Sequence, residues 1–222
     1  MMDEFVLPEP DEVRTLSRKF KRRTAVGADW FHPFHYSLLS DEALTVLISM
    51  WWCMLRHGLI PNQVALLLVA LIPKASGGER PIGIFSSLGR LLSKWLRWSY
   101  GRKWMERNDR PFFFGARGKD ALLCAWRFAL LTEFAHFTNQ CALQVLFDVM
   151  KAFENVDHDH LWTEANKHGF NLVLLRYLLA SYRMSRVVVV QRWHPQGGLW
   201  LRWTHVCRAG GMGQSAFHGQ CD

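Results

Sequence analysis

The chain carries two kinds of hydrophobic pattern, and their periods predict different elements. Between Asp41 and His57, residues Leu44, Leu47, Ile48, Trp51 and Leu55 recur at three- and four-residue spacing. That spacing predicts a helix capped by Ser40 or Asp41 and ended by Gly58. From Val64 to Ile72 the run is unbroken and apolar between Pro61 and Pro73, the pattern of a strand buried on both faces. The SGGE turn and the return strand RPIGI complete a hairpin with Lys74 and Arg80 at its tip and shoulders. Helical spacing resumes from Leu88 to about Arg107, with Leu88, Leu91, Leu92, Trp95 and Trp98 or Ser99 forming a core stripe. A glycine-bearing loop then leads into a helix capped near Asp120. A strand over Cys141 to Phe147 ends at Asp148, and helices follow from Asp157 and over Leu172 to Tyr182. The runs RVVVVQR and LWLRWTHV, joined by PQGG, predict a second hairpin. Strands interrupted by helices, without regular alternation, predict an α+β fold.

Composition narrows the class. Half of the 222 residues are apolar, enough for a sizeable core. The two greasiest runs, Ala43 to Leu55 and Val64 to Ile72, are each shorter than the roughly 20 residues that span a bilayer, so no membrane partner is expected. The opening MMDEFVLPEPDEV lacks a basic stretch followed by an apolar core, so no secretory signal is expected. The five cysteines hold no C-x-x-C pair, which predicts neither a disulfide framework nor a zinc site, no disulfide-linked partner and a reducing, intracellular setting in nucleus or cytoplasm.

Charge points towards a polyanion. Lys and Arg number 27 against 19 acidic residues, a net charge of +8. Residues 14 to 23, RTLSRKFKRR, form a basic N-terminal arm that reads equally as a phosphate-contacting segment or a solvated helix face. On the helix from Leu88, the cations Arg90, Lys94 and Arg97 fall at i, i+4 and i+7. They are candidate nucleic-acid contacts, or a face whose long side chains snorkel to solvent.

Three groups of residues could carry chemistry. Lys74 and Arg80 sit six residues apart around a glycine tip and can converge on one polyanion, an Arg fork and a Lys point charge being usual means of holding a triphosphate. No Walker loop or G-x-G-x-x-G sequence competes with them. Asp148, at the end of an apolar run, can hold Mg²⁺ or cap the following turn. In DHDH, residues 157 to 160, the two histidines are two apart and point away from each other on a helix, so Asp157 reads as a helix cap.

The string ALQVLFDVMKAFENVDHDHLW resembles the first catalytic motif of reverse transcriptases of the non-LTR retrotransposon and group II intron type. ALIPKASGGERPIGIFSSLGRLLSKW is similar to that family's fingers hairpin and following helix. TAVGADWFHPFHYSLL resembles its entry segment, FFFGARGKDAL the loop and helix between the motifs, and RAGGMGQSAFHG its second motif. The likeness covers roughly residues 24 to 217. It implies the fingers and partial palm of a right-hand polymerase: a basic arm over 1–23, fingers over 24–137 and a partial palm over 138–222. It also implies RNA-directed DNA synthesis in a retroelement, with an RNA template, a DNA primer and dNTP as partners. Asp148 would be a ligand of two Mg²⁺ ions, which in such sites lie roughly 3.5 to 4 Å apart. Phe153 would wall off a 2′-hydroxyl, Lys74 and Arg80 would contact the nucleotide's phosphates, and Gly213, Gln214 and Ser215 would lie under the nascent base pair. PQGG at 195 to 198 is a hairpin turn and not that motif.

Departures qualify the implication. The family's aromatic-x-Asp-Asp motif occurs nowhere in the 222 residues, and one aspartate cannot hold two metals. Glu154 stands where the family often has Asp, and Trp30 where it often has Gly. The expectation is therefore a C-terminally incomplete domain, inactive by itself. The alternative is a non-catalytic nucleic-acid-binding protein derived from such a domain.

Overall fold

A computed structural model describes residues 6–114, 118–143, 145, 155–193 and 199–207; for 190–193 and 199–207 only the backbone is considered. The fold is α+β, with four strands in one mixed sheet and α-helices in both of two compact units, Met1–Leu96 with Leu172–Asp222 and Arg97–Asn171.

The first unit is built on helices whose ends are written locally. Helix α1 (Pro10–Arg18) starts on a proline, which loses nothing at a position whose N–H has no partner, and carries Asp11 and Glu12 in its first turn. Its inner side buries Val13 and Leu16, and Arg14 bonds Asp11, Asp41 and the Leu39 carbonyl. A 3₁₀ turn (Pro33–Leu38) follows. Helix α2 (Asp41–His57) is capped by the Ser40 hydroxyl, which accepts from the Ala43 N–H at 3.3 Å, and it ends where Gly58 turns left-handed at φ 62°. The predicted stripe Leu44, Leu47, Ile48, Trp51 and Leu55 is buried, together with Met54.

Strand β1 (Leu66–Pro73) and β2 (Glu79–Ile84) form the predicted hairpin. The expectation of burial on both faces holds only at the base of β1. Consecutive Leu67 and Leu68 are each 9% exposed, while Ile72 is 46% exposed because the hairpin leaves the core before its tip. Helix α3 (Ser87–Leu96) follows after two residues and buries Leu88, Leu91, Leu92, Trp95 and Leu96. Trp95 stacks on Trp51 of α2, with ring centroids 6.1 Å apart at 19°. Helix α7 (Leu172–Tyr182) adds Leu174, Leu175 and Tyr177. The Tyr177 hydroxyl bonds Ser93, and burial pushes its pKa up to about 12.

Strands β3 (Ser185–Trp193) and β4 (Leu199–Cys207) make the second hairpin. The sheet order is β2-β1-β3-β4: β1 runs antiparallel to β2 but parallel to β3, in register from Leu66↔Ser185 to Ala70↔Val189. A parallel pair needs a long crossover, here everything from the β1–β2 turn through α7.

In the second unit the predicted helix beyond Leu96 continues as a π-helical turn (Arg97–Gly101) and α4 (Arg102–Arg107). Helix α5 (Ala121–Phe137) starts as predicted, with the Asp120 carboxylate accepting from the Leu123 N–H at 2.8 Å. Helix α6 (His158–Lys167) follows Asp157. Trp104 joins the ends of the unit, its indole N–H donating to the His168 carbonyl at 3.0 Å and its ring meeting Phe170 edge-on at 5.1 Å. The predicted strand over 141–147 is described only at Cys141, Ala142, Leu143 and Val145, none of which pairs in the sheet. No helix among the described residues is long and apolar enough to cross a membrane, and Cys53, Cys124 and Cys141 are free thiols.

Candidate functional site

The β1–β2 hairpin carries two of the sequence-predicted site residues, Lys74 and Arg80. Its last pairs are Ile72↔Arg80 and Pro73↔Glu79, after which five residues, Lys74 to Gly78, turn the chain. The Lys74 N–H donates to the Gly78 carbonyl at 3.0 Å, and the Gly77 N–H to the Lys74 carbonyl at 3.1 Å. Gly77 and Gly78 hold φ of 86° and 79°, a conformation that strains any side chain, which is why two glycines close this tip.

That register fixes the place of one of the two cations. Directly paired residues share a face of a sheet, so Arg80 shares one with Ile72, while Lys74 is the first residue beyond β1 and opens the turn. Both cations are exposed, and neither enters an ion pair among the described residues.

The α3 cations are placed differently from one another. Arg90 is half-buried; its Nε and Nη2 lie buried without a hydrogen-bond partner, and burial pulls its pKa down while Asp29 opposes that shift. The Lys94 ammonium sits 3.8 Å from the centroid of the Phe20 ring, a cation–π contact, and burial, then repulsion from Lys19, pulls its pKa down. Arg97 is exposed and opens the π-helical turn, in the second unit. In the basic arm the helix ends at Arg18, and Lys21, Arg22 and Arg23 beyond it are exposed.

Asp157 is the N-cap of α6, its Oδ1 accepting from the N–H groups of Asp159 at 2.8 Å and His160 at 3.3 Å. Those bonds hold its pKa below the ordinary aspartate value. Asp148, Phe153, Gly213, Gln214 and Ser215 lie outside the described residues. Among the described residues no three His, Cys, Asp or Glu side chains are grouped so as to hold a metal ion.

A polar cluster that no local pattern announced sits where β2 hands over to α3. Asp29 Oδ2 accepts from the Ser87 N–H at 2.6 Å and from the Ser87 hydroxyl. The Tyr36 oxygen lies 3.1 Å from the same Ser87 oxygen. The partners are more than fifty residues apart, so the only trace in the sequence is an aspartate in a glycine-led turn, GAD. No known protein-family model matches the chain.

Proposed function

We propose that the chain is a reverse-transcriptase-like domain, the fingers and partial palm of a right-hand polymerase from a retroelement, built for template-directed nucleotidyl transfer on RNA. The observation that carries this reading is the β1–β2 hairpin, which has the exposed Lys74 at the start of its turn and the exposed Arg80 on β2, on either side of a two-glycine tip. Two exposed cations, without an ion-pair partner among the described residues, suit a triphosphate, with the motif around Asp148 supplying a carboxylate for Mg²⁺ and Phe153 filtering the sugar. The 222 residues contain no aromatic-x-Asp-Asp sequence, which favours a second reading for the chain by itself: nucleic-acid binding without catalysis.

Primer extension on an RNA template with Mg²⁺, run beside filter binding of the RNA–DNA hybrid across a salt series, separates these readings. The expected result is binding whose logarithm falls steeply with the logarithm of salt, about 0.9 per phosphate contact, without extension. Extension that Asp148→Ala abolishes would establish the catalytic reading and remove the second one. Absence of both binding and extension would sink both.

A further inference from the structure

We propose that Asp29 is a positioning residue: through Ser87 and Tyr36 it clamps the elbow between β2 and α3, and so fixes the direction in which the hairpin presents Lys74 and Arg80. The functional half of this proposal rests on the reading above.

The elbow is short. Strand β2 ends at Ile84 and α3 begins at Ser87, leaving only Phe85 and Ser86 between strand and helix. Ser86 and Ser87 are 2% and 0% exposed, so their polar groups need partners inside the protein. Ser86 meets this need locally, its hydroxyl accepting from the Gly89 N–H at 3.3 Å and its carbonyl from the Arg90 N–H at 3.0 Å. Ser87 looks outward to Asp29. Because its hydroxyl proton goes to the carboxylate, the 3.1 Å contact with Tyr36 has the phenol as donor. The relay therefore runs from the Tyr36 O–H to the Ser87 oxygen, and from the Ser87 O–H to the carboxylate, tying the 3₁₀ turn, the 27–30 turn and the first residue of α3.

Two further observations mark the contact as fitted. A Cβ on Gly27 would lie 2.4 Å from the Phe85 carbonyl oxygen and 2.8 Å from the Ser86 Cα, so the turn bearing Asp29 rests directly on the elbow backbone and only glycine fits. The second carboxylate oxygen, Asp29 Oδ1, is buried without a hydrogen-bond partner among the described residues, with Arg90 close enough to oppose its charge. A carboxylate at a helix N-terminus also meets the positive end of the backbone dipole.

The leverage follows from the sheet order. Among the described residues β2 is an edge strand, paired with β1 on one side, and its residues Glu79 to Gly83 are exposed. Its C-terminal end is the remaining anchor, and the clamp is at that end.

The test compares Asp29→Ala, Asp29→Asn and Tyr36→Phe with the parent chain by amide hydrogen exchange, and titrates each with dTTP. In Asp29→Ala the amides of Ser87 and of 79–84 are expected to exchange about tenfold faster while those of α2 keep their protection, as local opening requires. Asp29→Asn keeps an acceptor and loses the charge, so it should fall between, and Tyr36→Phe should raise exchange about threefold at Ser87. The dTTP dissociation constant should rise about fivefold in Asp29→Ala, in step with the exchange at 79–84. Unchanged exchange at 79–84, or a uniform rise across the chain, would overturn the clamp. Should Asp29→Ala not fold, Asp29→Asn and Tyr36→Phe decide by the same pattern. A parent chain that shows the exchange pattern but binds no dTTP would leave the clamp standing and remove the triphosphate role of Lys74 and Arg80.

Discussion

Helices α2 and α5 are both 17 residues long, both begin on a side-chain cap, and α5 is the more apolar of the two, yet they are buried very differently. Helix α2 gathers Leu44, Leu47, Ile48, Trp51, Met54 and Leu55 in one stripe and buries all six, while its other apolar residues, Val46, Met50 and Trp52, stay exposed beside Thr45, Ser49 and Arg56. Helix α5 spreads its apolar residues around the whole circumference and buries only Ala135; Trp126, Leu130 and Phe134 are each more than 60% exposed. A groove of about 990 Å³ runs along it, lined by Phe114, Leu123, Trp126 and Leu130 among others. Segregation, and not apolar content, lets a helix bury a face against its own domain.

The largest way to break this comparison is Trp51→Ala. It removes a fully buried indole stacked on Trp95 and should cost about 3–5 kcal/mol in urea unfolding. A loss under about 1 kcal/mol would show the α2 stripe to be no core at all.

The next effect sharpens the burial of the first unit through pH. Tyr177 keeps its proton in the folded state until about pH 12, whereas an unfolded tyrosine releases it near pH 10. The folded state then binds more protons, so stability is fully present below about pH 10 and falls with rising pH, by about 2–3 kcal/mol towards pH 12. Chemical denaturation of the parent and of Tyr177→Phe at pH 9 and 11 should show the difference between them shrinking, as the phenol's share is lost. A constant difference would mean that the hydroxyl is solvated.

The smallest effect is expected on α5. Leu130→Ser, at a position 63% exposed, should change the unfolding free energy by no more than about 0.5 kcal/mol. A loss above about 2 kcal/mol would place Leu130 in a buried environment and dissolve the contrast with α2.

Local chemistry was legible where one segment carried its own instructions. The periodic stripe and Gly58 bounded α2, Asp120 and Asp157 capped α5 and α6, and SGGE closed the first hairpin. Of the candidate site, the placement of Lys74 and Arg80 on a hairpin was legible because a glycine tip between apolar runs dictates it. The inward settings of Arg90 and Lys94 were not. Helical spacing reports which residues share a face, but whether that face meets solvent depends on Asp29 and Phe20, which lie far away in sequence.

By itself the sequence determined α2, α5, α6 and α7, the two hairpins, the caps and the pairing of basic charge with a glycine turn, because propensity, capping and hydrophobic period act within a few residues. Only the tertiary structure decided that β1 and β3 lie side by side in parallel, that residues 1–96 and 172–222 belong to one compact unit, and that Asp29 reaches Ser87. Those contacts join positions 58 or more residues apart, and no local pattern encodes them. They form because buried backbone and hydroxyl groups must find partners wherever the packed chain brings them.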